Sequence, residues 1–127
     1  MQQTNITVNQ IGKYLYKHID GAFKIHRSGN MCDVWFALLY QIPRPFQIPG
    51  KGKEYNDVHE MTINLNLTTY QNKIRFNILE TDPNERTLGC YVIPPADLED
   101  LERVKKYILQ QTIKAVHKYY SEYEVLF

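Results

Sequence analysis

From Val58 to Glu80 the chain alternates apolar and polar side chains in two successive runs. Met61, Ile63, Leu65 and Leu67 fall on one side of the first run, and Thr62, Asn64, Asn66 and Thr68 on the other. In the second, Ile74, Phe76 and Ile78 alternate with Lys73, Arg75 and Asn77. A period of two marks a strand with one buried and one wet face, because successive side chains leave a pleated strand on opposite sides. The runs also define their own pairing. If Gln71 and Asn72 form the loop, Thr69 meets Ile74, Leu67 meets Phe76 and Leu65 meets Ile78 on the buried side. Thr68 then meets Arg75, and Asn66 meets Asn77, on the wet side. A slip of one residue would turn Leu and Phe into water, so the register is strongly specified. Asn-Gly suits a type I′ turn better than Gln-Asn, which leaves a slightly longer loop as the alternative.

The same reading extends to both ends. Thr7-Val-Asn-Gln10 matches a capping box and predicts a helix from Val8 to Ile19, with Ile11, Leu15 and Ile19 on its apolar face. Gly12 weakens this helix and Gly21 ends it. Ala22 to Arg27 predicts a short strand, followed by a turn at Ser28-Gly-Asn30. Met31 to Ile42 is the most apolar run in the chain. Its Trp, Phe, Val and Tyr predict a central strand buried on both faces, a helix being the alternative. The Pro/Gly-rich stretch at 43–57 predicts a loop. Asp82 to Glu85 reads as a turn, and Thr87 to Ile93 as a strand stopped by Pro94-Pro95.

Asp97 is the expected cap of a long final helix. Glu99, Asp100 and Glu102 precede Lys105, Lys106, Lys114 and Lys118, the order that the helix dipole favours. Leu101, Val104, Ile108, Thr112, Ala115 and Tyr119 form one stripe of that helix; Leu109, Ile113, Val116 and Tyr120 form its neighbour. The expected object is a single α+β domain over 1–127. It is an antiparallel β-meander of four to five strands, with an N-terminal helix and a long C-terminal helix packed on the sheet.

Composition narrows the chemistry. At 127 residues, 43% hydrophobic and 23% charged, the chain can build a core without staples. The net charge of +1 gives no global footprint for nucleic acid or anionic membrane. No apolar run approaches the length needed to cross a bilayer. The N-terminus lacks the basic start and apolar stretch of a secretory signal, so a cytoplasmic location is expected. Cys32 and Cys90 fall in strands and read as buried, reduced thiols. His18, His26, His59 and His117 sit on four different elements without metal-ligand spacing, so neither a metal nor a cofactor is expected. Gly50-Lys-Gly-Lys53 lacks the spacing and the Ser/Thr of a phosphate loop.

Two features exceed what one core needs. Phe46 and Ile48 stand in the Pro/Gly loop, where proline lowers the entropy cost of presenting them. Tyr119, Tyr123 and Phe127 belong to a tyrosine-rich C-terminal segment too wide for one helix face. These five are the expected partner-binding residues of a non-catalytic protein-interaction module, a small subunit or adaptor that binds another protein or itself. The alternative is a nucleic-acid-binding domain using Asn66, Tyr70, Lys73 and Arg75 on the wet sheet face. A second alternative is a small enzyme centred on Cys90 or His59.

Overall fold

The computed structural model describes residues 6–42 and 58–126. Helix α1 (Val8–His18) leads into five strands: β1 (Ala22–Ser28), β2 (Met31–Gln41), β3 (Val58–Tyr70), β4 (Lys73–Asp82) and β5 (Arg86–Val92). A 3-10 turn at Pro95–Glu99 precedes α2 (Leu101–Tyr119), and a two-residue strand β6 (Glu124–Val125) closes the described chain. The strands pair antiparallel in the order β1-β2-β3-β4-β5. Strand β6 joins β2 at Tyr40 and Gln41, on the edge that β1 leaves free. The architecture is therefore α+β with an antiparallel meander.

The β3–β4 ribbon has the register that its side-chain alternation dictates. Leu65 faces Ile78, Leu67 faces Phe76 and Thr69 faces Ile74, while Asn66 faces Asn77 and Thr68 faces Arg75. The loop is the two-residue one: Gln71 and Asn72 take φ of 50° and 63°, the left-handed pair that a type I′ turn requires. Leu65, Leu67, Phe76 and Ile78 are wholly buried. At about 2 kcal/mol for each such side chain, a one-residue slip would forfeit about 8 kcal/mol, comparable to the whole stability of a domain.

Both helices lie on the same side of the sheet. Helix α1 covers β1, β2 and β3, α2 packs beside β5, and the two helices touch. The capping box at Thr7 and Gln10 is formed in both directions. Gly12 marks the point of closest approach: a Cβ there would collide with Cys32 Sγ and lie 3.3 Å from Cys32 Cβ. The glycine that weakens the helix thus lets it sit directly on β2. On α2, Val104, Ile108, Thr112, Ala115 and Val116 are buried. Thr112 disposes of its hydroxyl by donating to Ile108 O at 2.7 Å. Tyr14 Oη of α1 donates to Glu102 Oε1 of α2 at 2.7 Å.

Two expectations are corrected. Helix α2 begins at Leu101 with Asp100 as its cap, accepting from Glu102 N–H at 2.8 Å, rather than at Asp97. Pro94 and Pro95 start a 3-10 turn that holds Asp97, which pairs instead with Arg103 at 3.4 Å. Strand β2 is buried on one face only. Cys32, Val34, Phe36, Leu38 and Tyr40 point into the core, whereas Asp33, Trp35 and Ala37 are half-buried and Leu39 is exposed. It is an interior strand, paired with β1 and β6 on one edge and with β3 on the other.

Candidate binding surface

With both helices on one side, the other face of the sheet carries no described element. Register decides what stands there. Asp33, Trp35, Ala37 and Leu39 of β2 lie opposite Asn66, Asn64, Thr62 and Glu60 of β3. Thr68 and Tyr70 continue β3 and meet Arg75 and Lys73 of β4, while Asn77 faces Cys90 of β5.

The middle of this face is a hydrogen-bonded amide cluster. Asp33 Oδ1 accepts from Asn66 Nδ2 at 2.8 Å and from Asn64 Nδ2 at 3.4 Å, and Asn77 Nδ2 donates to Asn66 Oδ1 at 3.4 Å. Asn64 is only 7% exposed, so its bond to a carboxylate offsets the cost of burying an amide. Aromatic rings flank the cluster, each with a cation over it. Lys24 Nζ lies 4.6 Å from the centre of the Trp35 ring, and the Arg75 guanidinium 4.9 Å from that of Tyr70. Such pairings hold flexible cations in place and present them together with the ring.

Asn66, Tyr70, Lys73 and Arg75 therefore share one end of one face, as the alternation implies. Trp35 belongs with them and was not read as a site residue. The parity of β2 places it outward, but its apolar neighbours suggested burial on both sides. Tyr119 is exposed at the end of α2, with the Arg86 guanidinium 5.3 Å from its ring. Phe46, Ile48 and Phe127 lie outside the described residues.

Tyr123 is engaged within the molecule. Its ring stacks on Tyr40 at 4.2 Å and on Tyr120 at 4.6 Å, and His117 Nε2 meets its carbonyl at 2.8 Å. Beneath lies Glu80, 1% exposed, which accepts from Tyr120 Oη at 2.5 Å and from Asn84 Nδ2 at 3.4 Å. Burial, with the neighbouring Tyr123, pushes the Tyr40 phenol up to about 12. This aromatic cluster fastens the segment after α2 to β2 and β4. Glu80 escaped notice in the sequence, although its parity continues Ile74, Phe76 and Ile78 inward.

The cysteine expectation is half corrected. Cys32 is buried, and desolvation together with Asp33 pushes its thiol up, against a smaller opposing pull from Arg27. Cys90 is exposed, because β5 ends the strand path and no described element covers its outward side. Neither thiol meets His59. Cys90 lies level with Asn66, seven positions from His59 on β3, or about 23 Å along a strand. His59 stacks instead on Tyr40 at 5.5 Å. Among the described residues no three His, Cys, Asp or Glu side chains gather to hold a metal, and no helix is long and apolar enough to cross a membrane. Comparison with family models, characterised proteins and solved structures returns no match to this chain.

Proposed function

We propose that this chain is a non-catalytic protein-binding module, a small subunit or adaptor, whose recognition surface is the helix-free face of the sheet. The observation that supports the reading is the make-up of that face. A half-buried amide cluster sits between cation-capped Trp35 and Tyr70, with Met31, Leu39 and Val92 exposed around it. Aromatic rings, Met and Arg are the residues enriched where proteins meet. Five strands at sheet spacing, each about eight residues long, give a face of about 600 Å². That approaches the ~800 Å² that one partner contributes to a standard interface. Lys24 stands beside Trp35, and Lys73 and Arg75 beside Tyr70, so the partner surface that meets the two rings should be mildly acidic.

Single-stranded nucleic acid fits less well. Trp35 lies level with Asn64, six positions from Tyr70 on β3, or about 20 Å along the strand. Successive stacked bases need closer platforms.

The test is site-specific photocrosslinking in the native source. A benzophenone at Thr68 or Val92 should trap a protein, one at Lys106 or Lys114 on α2 should not, and Trp35→Ala should abolish the adduct. Adducts arising equally from α2, or none from the sheet, would remove the proposal. RNA binding that weakens steeply with salt would establish the competing reading.

A further inference from the structure

Between the point where β1 leaves β2 and the point where β6 joins it, the β2 edge passes Ala37 and Leu39 with no described strand beside it. Two backbone hydrogen bonds bracket the gap. Ala37 N–H donates to Gly21 O at 3.0 Å, and Leu126 N–H donates to Leu39 O at 2.8 Å. Gly21 holds φ at +86°, and a Cβ there would stand 2.7 Å from Ala37 O, so the chain can pass this close only at glycine. The outcome is a cleft of about 440 Å³ that turns around the sheet edge towards α2. Its size falls within the range of small-molecule sites. Ile19, Ala37, Leu39, Leu109 and Leu126 line it, and Asp20, Glu60 and His18 complete it.

We propose that this cleft binds a small organic cation, a primary amine carried on an aromatic or branched aliphatic body. The lining is chiefly apolar and suits such a body. The two carboxylates select the charge. Asp20 follows α1, whereas Glu60 lies on β3 directly across from Leu39, so they approach the cleft from separate elements. Both residues are exposed, and neither forms an ion pair with a described residue. An anion entering here would meet both carboxylates, and a neutral body would leave them unused. An ammonium group gains charge-assisted hydrogen bonds from either. The cleft shares Ala37, Leu39 and Glu60 with the face proposed for protein binding, but amine binding is read without a protein partner, so either reading can fail alone.

Phenethylamine is the probe, with phenethyl alcohol and hydrocinnamate as neutral and anionic counterparts. Trp35 is the only tryptophan and lies two positions from Ala37 on the same side of β2, so its emission reports occupancy. Amide shifts of Gly21, Ala37 and Leu39 locate it. The amine should bind saturably, the alcohol about fivefold or more weakly, and the anion not at all. Asp20→Asn and Glu60→Gln should each weaken the amine by about fivefold with unchanged unfolding midpoints. Non-saturable shifts, equal binding of amine and alcohol, or shifts centred elsewhere would overturn the assignment.

Discussion

The contact between α1 and β2 offers a sharp test, because two effects of known size oppose each other at Gly12. In a helix interior Ala is favoured over Gly by about 1 kcal/mol, so propensity alone predicts that Gly12→Ala stabilises. The new methyl, however, would overlap Cys32 Sγ and stand 3.3 Å from Cys32 Cβ. Cys32 Cβ is fixed by the β2 backbone, and Sγ can give way only by turning about χ1 within a wholly buried site. Overpacking of this kind costs about 1–3 kcal/mol. Net of the two, Gly12→Ala should be less stable by up to about 2 kcal/mol. Cys32→Ala removes the sulfur, and the double variant should be more stable than the two single changes summed, by about 1–3 kcal/mol. Urea unfolding of all four proteins at constant m-value measures this coupling. A Gly12→Ala variant more stable than the parent by the full helix preference of about 1 kcal/mol, or strict additivity, would refute close docking of α1 on Cys32.

Other consequences follow from the same contacts. Glu80→Ala removes the acceptor of the Tyr120 hydroxyl, leaving Tyr120 only the bond it receives from the exposed Asn84 amide, and should cost about 1–3 kcal/mol in denaturant unfolding. A smaller loss would mean that the aromatic cluster is loosely held. The Tyr40 phenol, ordinarily at 10.0 and here pushed up to about 12, is neutral when protonated. Its folded pKa lies above its unfolded one, so its stabilisation is complete below pH 10 and disappears as pH rises towards 12. Tyr40→Phe should flatten the stability curve across that window, and an unchanged slope would contradict the burial of the ring. Iodoacetamide should label Cys90 in the folded protein and reach Cys32 only on unfolding, read by peptide mass; equal labelling of both would displace Cys32 from the core.

The β3–β4 ribbon was legible residue by residue, since period-two alternation with large apolar side chains penalises every other register. The cap of α1 was equally clear, because Thr7 and Gln10 satisfy each other's backbone. Strand β2 was not, and it carries part of the candidate surface. Trp35, Ala37 and Leu39 are apolar yet outward, and an apolar side chain costs little at a partly covered surface, so a continuous apolar run does not distinguish one buried face from two. The start of α2 was misplaced because Asp97 and Asp100 both suit a cap, and the choice depended on the turn that Pro94-Pro95 imposes. The cleft beside Ala37 was invisible, being made by residues from α1, β2, β3, α2 and the segment after β6, which only the fold brings together.

Among the described residues, both helices seal one face of the sheet and no element covers the other. Solvent paramagnetic relaxation, read on side-chain signals, tests it in one experiment. A soluble relaxation agent should broaden the Leu39 methyls, the Trp35 indole and the Tyr70 ring, and leave Leu65, Leu67 and Ile78 untouched. Protection of Leu39 and Trp35 equal to that of Leu65 would mean that something already covers this face, and the surface proposed for recognition would not exist.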